Sequence, residues 1–200
     1  MPHVAEPSRQ LLPRRGQLVG QLRRVYAAAG TGPPLEEVAT EIVRVPTLNA
    51  EAARDALRRL DADVAISLDN TLIREATYSL PTHGTINVHH GAVPDYRGGP
   101  PVFWELLDGR ETVGFTIHRI DSGIDTGPVL ASGEVPIVRR GTLRATLVAT
   151  IPLLHEASLD ALERVLDEER LDGTPQPRAG PHRTTPTLRD YLRVRRAVHE

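Results

Sequence analysis

The chain has 200 residues, 40% of them hydrophobic, and a formal net charge of −2, which suits one soluble globular domain able to bury roughly 70% of its unfolded surface. There is no cysteine, and every one of the 24 basic residues is arginine, which excludes a disulfide framework, a thiolate metal site, a Schiff-base lysine and a phosphate-loop lysine. No run approaches the ~20 apolar residues of a membrane span, and no apolar secretory segment follows Met1, so a cytoplasmic protein with no membrane partner is expected.

Taken in chain order, residues 1–14 lack periodicity and read as a loose arm. Gln17 to Ala29 spaces Leu18, Leu22 and Val25 at helical intervals, with Gly30 as a stop. Glu41 to Val45 is a short β-branched run closed by Pro46. Asn49 caps a predicted helix through Leu60, with Ala53, Leu57 and Leu60 on its apolar face. Val64 to Leu68 reads as a strand buried on both faces, Thr71 to Ser79 as a helical turn or two, and Gly84 to Val88 as a second buried strand. Pro101 to Leu107 predicts a short helix. Phe115 to Ile120 and Val129 to Ile137 read as strands joined by a glycine-containing loop. Thr142 caps a long helix to about Glu169, broken or bent at Pro152, with Leu147, Ile151, Leu154, Leu162 and Val165 as its core stripe. The Pro/Gly-rich tail 171–186 precedes a last helix beginning at Thr187. Strands alternating with helices predict a single α/β domain over 1–200, with a largely parallel sheet flanked by helices.

Ligands of such sheets sit beyond the strand C-termini, where Asn87 and His89 fall. Two residues apart on a strand, their side chains share a direction, while that of His90 opposes them. An amide donor beside an imidazole suits a carbonyl oxygen that becomes negative during reaction. Asp125, in the loop DSGIDTG whose glycines permit a tight turn, supplies a base. Its partial desolvation is expected to raise its pKa toward neutrality. Tyr96, Phe103, Trp104 and Phe115 offer stacking surfaces, although core packing is expected of at least two. Arg97 suits either an anionic substrate or a turn contact. His83, His89, His90, His118, Asp121 and Asp125 contain metal-donor types, but adjacent strand histidines diverge and no HxH or HExxH pattern occurs, so no metal is expected.

From about Ile42 to Ile137 the chain resembles the folate-dependent formyltransferases, through INVHHGAVPDYRGG, ELLDGRETVGFTIHRID and DSGIDTGPVL. The resemblance implies a Rossmann-like formyltransferase fold and 10-formyltetrahydrofolate as formyl donor. It implies Asn87, His89 and Asp125 as catalytic groups and His118 as a supporting one. It also implies donor binding along Thr71, Leu72 and Ile73 and the loop Ile120, Asp121, Ser122, Gly123 and Ile124, with Arg97 and Gly98 toward the substrate. Family members usually carry Pro-Ser where this chain has His90-Gly91. They also open with a strand, glycine loop and helix, whereas residues 1–40 here are atypical. The expected fold therefore lacks its first βα unit, and the exposed sheet edge favours a homodimer.

The short C-terminal tail and helix over 171–200 favour a small-molecule amine acceptor, such as an amino sugar or biosynthetic amine. Residues 1–30 and 178–200 each carry +4 against −10 between them, which keeps tRNA as a minority partner. Hydrolysis of the same donor, and a truncated folate- or partner-binding module, are the competing readings.

Overall fold

The computed structural model describes residues 37, 39, 41–68, 72–177 and 179–198. The arm 1–14, the helix expected over 17–29 and the question of a first βα unit lie outside them. The described elements are α1 (Glu51–Leu60), β1 (Ala65–Leu68), α2 (Glu75–Tyr78), β2 (Thr85–His89), β3 (Arg97–Gly98), α3 (Phe103–Leu107), β4 (Thr112–Arg119), β5 (Val129–Pro136), α4 (Leu143–Asp167), β6 (His182–Arg183) and α5 (Leu188–Ala197). Glu41–Val45, expected as a β-branched run, forms no strand.

Four strands form the central sheet in the order β1-β2-β4-β5, and β3 pairs with β6 in a two-stranded ribbon. The α/β class stands, but the sheet is less parallel than expected. β1 and β2 run parallel, whereas β2–β4 and β4–β5 are antiparallel. The link from β4 to β5, residues 120–128, holds no helix and is shorter than the dozen or more residues a parallel crossover needs.

The core lies between this sheet and α4. Ile86, Val88, Val113, Phe115 and Ile117 meet Leu154, Leu159, Leu162, Val165 and Leu166, with Phe103 and Leu106 of α3 and Val194 and Val198 of α5 closing one end. Each such side chain, fully buried, contributes about 1.5–3 kcal/mol. β1 is only half-buried apart from Ser67, so the expectation of burial on both faces fails there.

Helix α4 starts where Thr142 Oγ1 accepts from Ala145 N at 3.2 Å. It runs through Pro152 as one 25-residue helix rather than breaking. The proline leaves the carbonyl four residues earlier, that of Val148, without its helical partner. Val148 is 68% exposed, so water can take that place. Thr187 opens α5 in a capping box with Asp190. Among the described residues, no helix is long and apolar enough to cross a membrane.

Candidate active site

Asn87 and His89 stand at the C-terminal end of β2, opposite His118 and Thr116 of β4. The antiparallel register therefore sets Asn87 beside His118, and their Nδ2 and Nε2 atoms lie 3.3 Å apart. The β4–β5 loop delivers Asp125 from the other side. Its Oδ2 lies 3.5 Å from His89 Nδ1 and its Oδ1 lies 3.4 Å from His118 Nε2. Gly98 N donates to Asp125 Oδ2 at 2.8 Å. The loop holds itself together as well, since Asp121 Oδ1 accepts from Gly123 N at 3.0 Å and from Thr126 Oγ1 at 2.6 Å.

The far ring nitrogens fix the proton inventory. His89 Nε2 meets Tyr96 O at 2.7 Å and His118 Nδ1 meets Arg119 O at 2.8 Å. A carbonyl only accepts, so each of these nitrogens carries a hydrogen. His89 Nδ1 and His118 Nε2 are then the atoms that gain or lose a proton, and both face Asp125. His118 Nε2 accepts from Asn87 when the ring is neutral, and donates to Asp125 when it is charged.

Burial pushes the His89 pKa down, and the Asp125 charge opposes that fall. For Asp125, burial pushes the pKa up, but the His118 hydrogen bond, the His89 charge and the Gly98 N–H outweigh it and hold the carboxyl at about 2. The expectation of a raised Asp125 pKa is therefore overturned. The loop presents this carboxylate to two imidazoles and a backbone donor, all of which favour its charge.

A cleft of about 440 Å³ opens over these groups. Asn87, His89, His118 and Asp125 lie along it with Gly98, and Leu72, Ile73, Ile120, Gly123 and Ile124 supply much of the remaining wall. Leu72 is 62% and Ile124 44% exposed at its rim. The wall is thus largely apolar, with the polar groups gathered at Asn87, His89, His118 and Asp125. Other expected residues stand elsewhere. Asp121 and Ser122 are not among the cleft-lining residues, and Thr71 lies outside the described residues. Arg97 is buried and donates to Gln176 Oε1 rather than facing the cleft, because β3 pairs with β6 at this point.

His90 borders the cleft beside His89, but its ring turns to the opposite side, as expected, and packs against α4. Its ring lies 4.7 Å from that of His155, and its Nε2 lies 3.4 Å from Ser158 Oγ. Burial, then the His155 and His89 charges, push His90 down to about 3, which leaves it neutral at physiological pH. Tyr96, Phe103 and Phe115 belong to the buried core, and Trp104 Nε1 donates to Gly99 O at 3.1 Å. Among the described residues, no cluster of three metal-donor side chains occurs. Gln176 was not singled out by its sequence context, where it sits in a Pro-rich stretch with no periodicity.

The family model described as Formyl transferase matches residues 19–162. The methionyl-tRNA formyltransferase of Sorangium cellulosum is 30% identical over 186 residues, covering 88% of this chain and 59% of that protein. That of Thermus thermophilus is 35% identical over 149 residues, covering 74% and 47%. The chain thus spans about half the length of the curated relatives it matches. Among solved structures, the formyltransferase PseJ from Anoxybacillus kamchatkensis, in complex with UDP-4,6-dideoxy-4-formamido-L-AltNAc and tetrahydrofolate, aligns with a TM-score of 0.53. It is 23% identical, over 72% of this chain and 71% of that one, a likeness of fold.

Proposed function

The chain belongs to the formyl transferase family, and from that premise we propose that it transfers a formyl group from 10-formyltetrahydrofolate to a small-molecule amine. The observation that carries this reading is the convergence of Asp125 on His89 and His118 at 3.5 and 3.4 Å, beside Asn87, at one cleft. The acceptor class, an amino sugar or another small biosynthetic amine, draws support from the fold shared with PseJ. A tRNA acceptor is the lesser reading, after the methionyl-tRNA formyltransferases.

In this mechanism Leu72, Ile73, Ile120, Gly123 and Ile124 hold the folate donor with its formyl group toward Asn87. The amine attacks the formyl carbon, a C–N bond forms, and the carbonyl oxygen becomes negative. Asn87 has one N–H directed at His118 and a second that can donate to that oxyanion; such a donor is worth ~10²–10³ in rate. The new ammonium must lose a proton. Asp125, ionised at neutral pH, attracts it, and the facing imidazole nitrogens relay it to the folate nitrogen as the original C–N bond breaks. A carboxylate held at about 2 does not retain the proton, so it stabilises an imidazolium in transit rather than acting as a store.

The test is spectroscopic consumption of 10-formyltetrahydrofolate by the purified chain, with and without a panel of amines. Turnover that requires an amine, with the formylated product identified by mass, supports transfer. Equal turnover in water alone replaces transfer with hydrolysis. Binding of tetrahydrofolate with no turnover under either condition overturns both in favour of a binding module.

A further inference from the structure

The segment beyond the family match returns to the catalytic loop. Thr174 and Val129 exchange two backbone hydrogen bonds, of 2.7 and 2.8 Å. β6 then lies parallel to β3, with His182 opposite Arg97 and Arg183 opposite Gly98. The segment sits close to the body, since a Cβ on Gly180 would lie 1.7 Å from Pro94 O. The Arg183 guanidinium stacks 5.3 Å from the ring centroids of both Tyr96 and Trp104, which anchors the far end.

Gln176 stands between these two anchors. Its Nε2 donates to Asp125 O at 2.8 Å and to Gly127 O at 3.0 Å, while its Oε1 accepts from Arg97 Nη2. What it grips is an uncommon backbone conformation, because Asp125 has a φ of 50°, in the left-handed region that few non-glycine residues adopt. The same residue must aim its carboxyl at Gly98 N, His89 and His118.

We infer that Gln176 is a positioning residue, holding the backbone of Asp125 so that its carboxylate meets both imidazoles. The inference rests on the reading of Asp125 as the group that handles the transferred proton. It also makes residues 171–183 part of the site rather than a tail.

The experiment uses the full chain with Gln176→Met, which keeps the length and packing of the side chain but removes both donors and the acceptor. Gln176→Ala serves as a second variant. Both are checked for a wild-type circular dichroism spectrum. The expected result is a tenfold to hundredfold fall in kcat with an unchanged KM for the folate donor, in line with the ~10²-fold cost of misplacing a reacting group by about 1 Å. A second readout does not need turnover. The imidazole ¹⁵N shifts of His89 are titrated by NMR in wild type, Gln176→Met and Asp125→Asn. Loss of the Asp125 charge lowers the His89 midpoint, and Gln176→Met should reproduce part of that shift. A Gln176→Met midpoint equal to wild type overturns the inference whatever the rates do. If the wild type turns over neither with an amine nor in water alone, the proposed function fails, and the His89 midpoint still decides the role of Gln176.

Discussion

The backbone N–H of Gly98 donates to Asp125 Oδ2 at 2.8 Å, joining β3 to the loop after β4. Through this bond the β3 backbone fixes the position of the Asp125 carboxylate. Gly98 is itself paired with Arg183 of β6. Three segments distant in sequence therefore set the aim of one side chain.

Asp125→Asn should keep that bond, because an amide oxygen also accepts from Gly98, while removing the charge that faces two imidazoles. The expected outcome is a 10²–10⁴-fold fall in kcat with the fold intact by circular dichroism. The carboxyl is held below its ordinary value, at about 2 against 3.8. Its contribution to stability is therefore present above pH 3.8 and lost as pH falls through about 2. That contribution is about 2 kcal/mol. Acid unfolding of the wild type should be steeper over this window than that of Asp125→Asn, and superimposable curves would contradict the assigned environment.

Asn87→Ala removes the partner of His118 Nε2 and, in the proposed mechanism, a donor to the oxyanion. The expected loss is ~10²–10³ in kcat, with the affinity for tetrahydrofolate nearly unchanged. Steady-state rates beside a fluorescence binding titration measure both. A variant that loses affinity but keeps kcat would make Asn87 a binding group instead.

Gly91 answers the question raised by its unusual place after two histidines. A Cβ there would lie 2.2 Å from Tyr96 O and 2.5 Å from His89 Nε2, inside the hydrogen bond that fixes the His89 tautomer. Gly91→Ala should therefore displace the His89 ring and cost about 1–3 kcal/mol of stability, together with at least a tenfold loss of turnover. Denaturant unfolding and rates check the two effects, and wild-type values in both would mean that the ring orientation is not required.

Much of this arrangement was legible in local pattern. The β2 strand, the Thr142 cap and the core face of α4 follow from periodicity and capping chemistry, and the pairing of N-x-H with a distant Asp loop follows from the family resemblance. What was not legible depends on partners far away in sequence. Asn49 sits where a helix cap belongs, yet Ala50 is the N-cap. The Asn49 amide instead donates to Leu72 O and accepts from Arg74 N, steadying the segment that lines the cleft. Arg97 suited either a substrate contact or a turn contact by its local sequence, and the β3–β6 pairing buries it. The Asp125 pKa was misjudged because burial alone could be inferred, whereas His118, His89 and Gly98 together reverse its sign.

Glu105 is buried to 2% exposure, and its Oε2 has no hydrogen-bond partner. Burial pushes its carboxyl up to about 7 from 4.5, against backbone hydrogen bonds from Glu105 and Val102 and the charge of Arg183. A carboxyl whose folded pKa is raised contributes stability that is fully present below pH 4.5 and is lost as pH rises through about 7. The loss is about 3 kcal/mol when complete. Glu105→Gln retains an oxygen for the two backbone donors and never ionises. Denaturant unfolding at pH 5 and pH 8 should therefore show a smaller decrease for the variant than for the wild type, with the variant the more stable of the two at pH 8. A variant less stable than wild type at pH 8 would mean that the attraction between ionised Glu105 and Arg183 outweighs the cost of burying the charge.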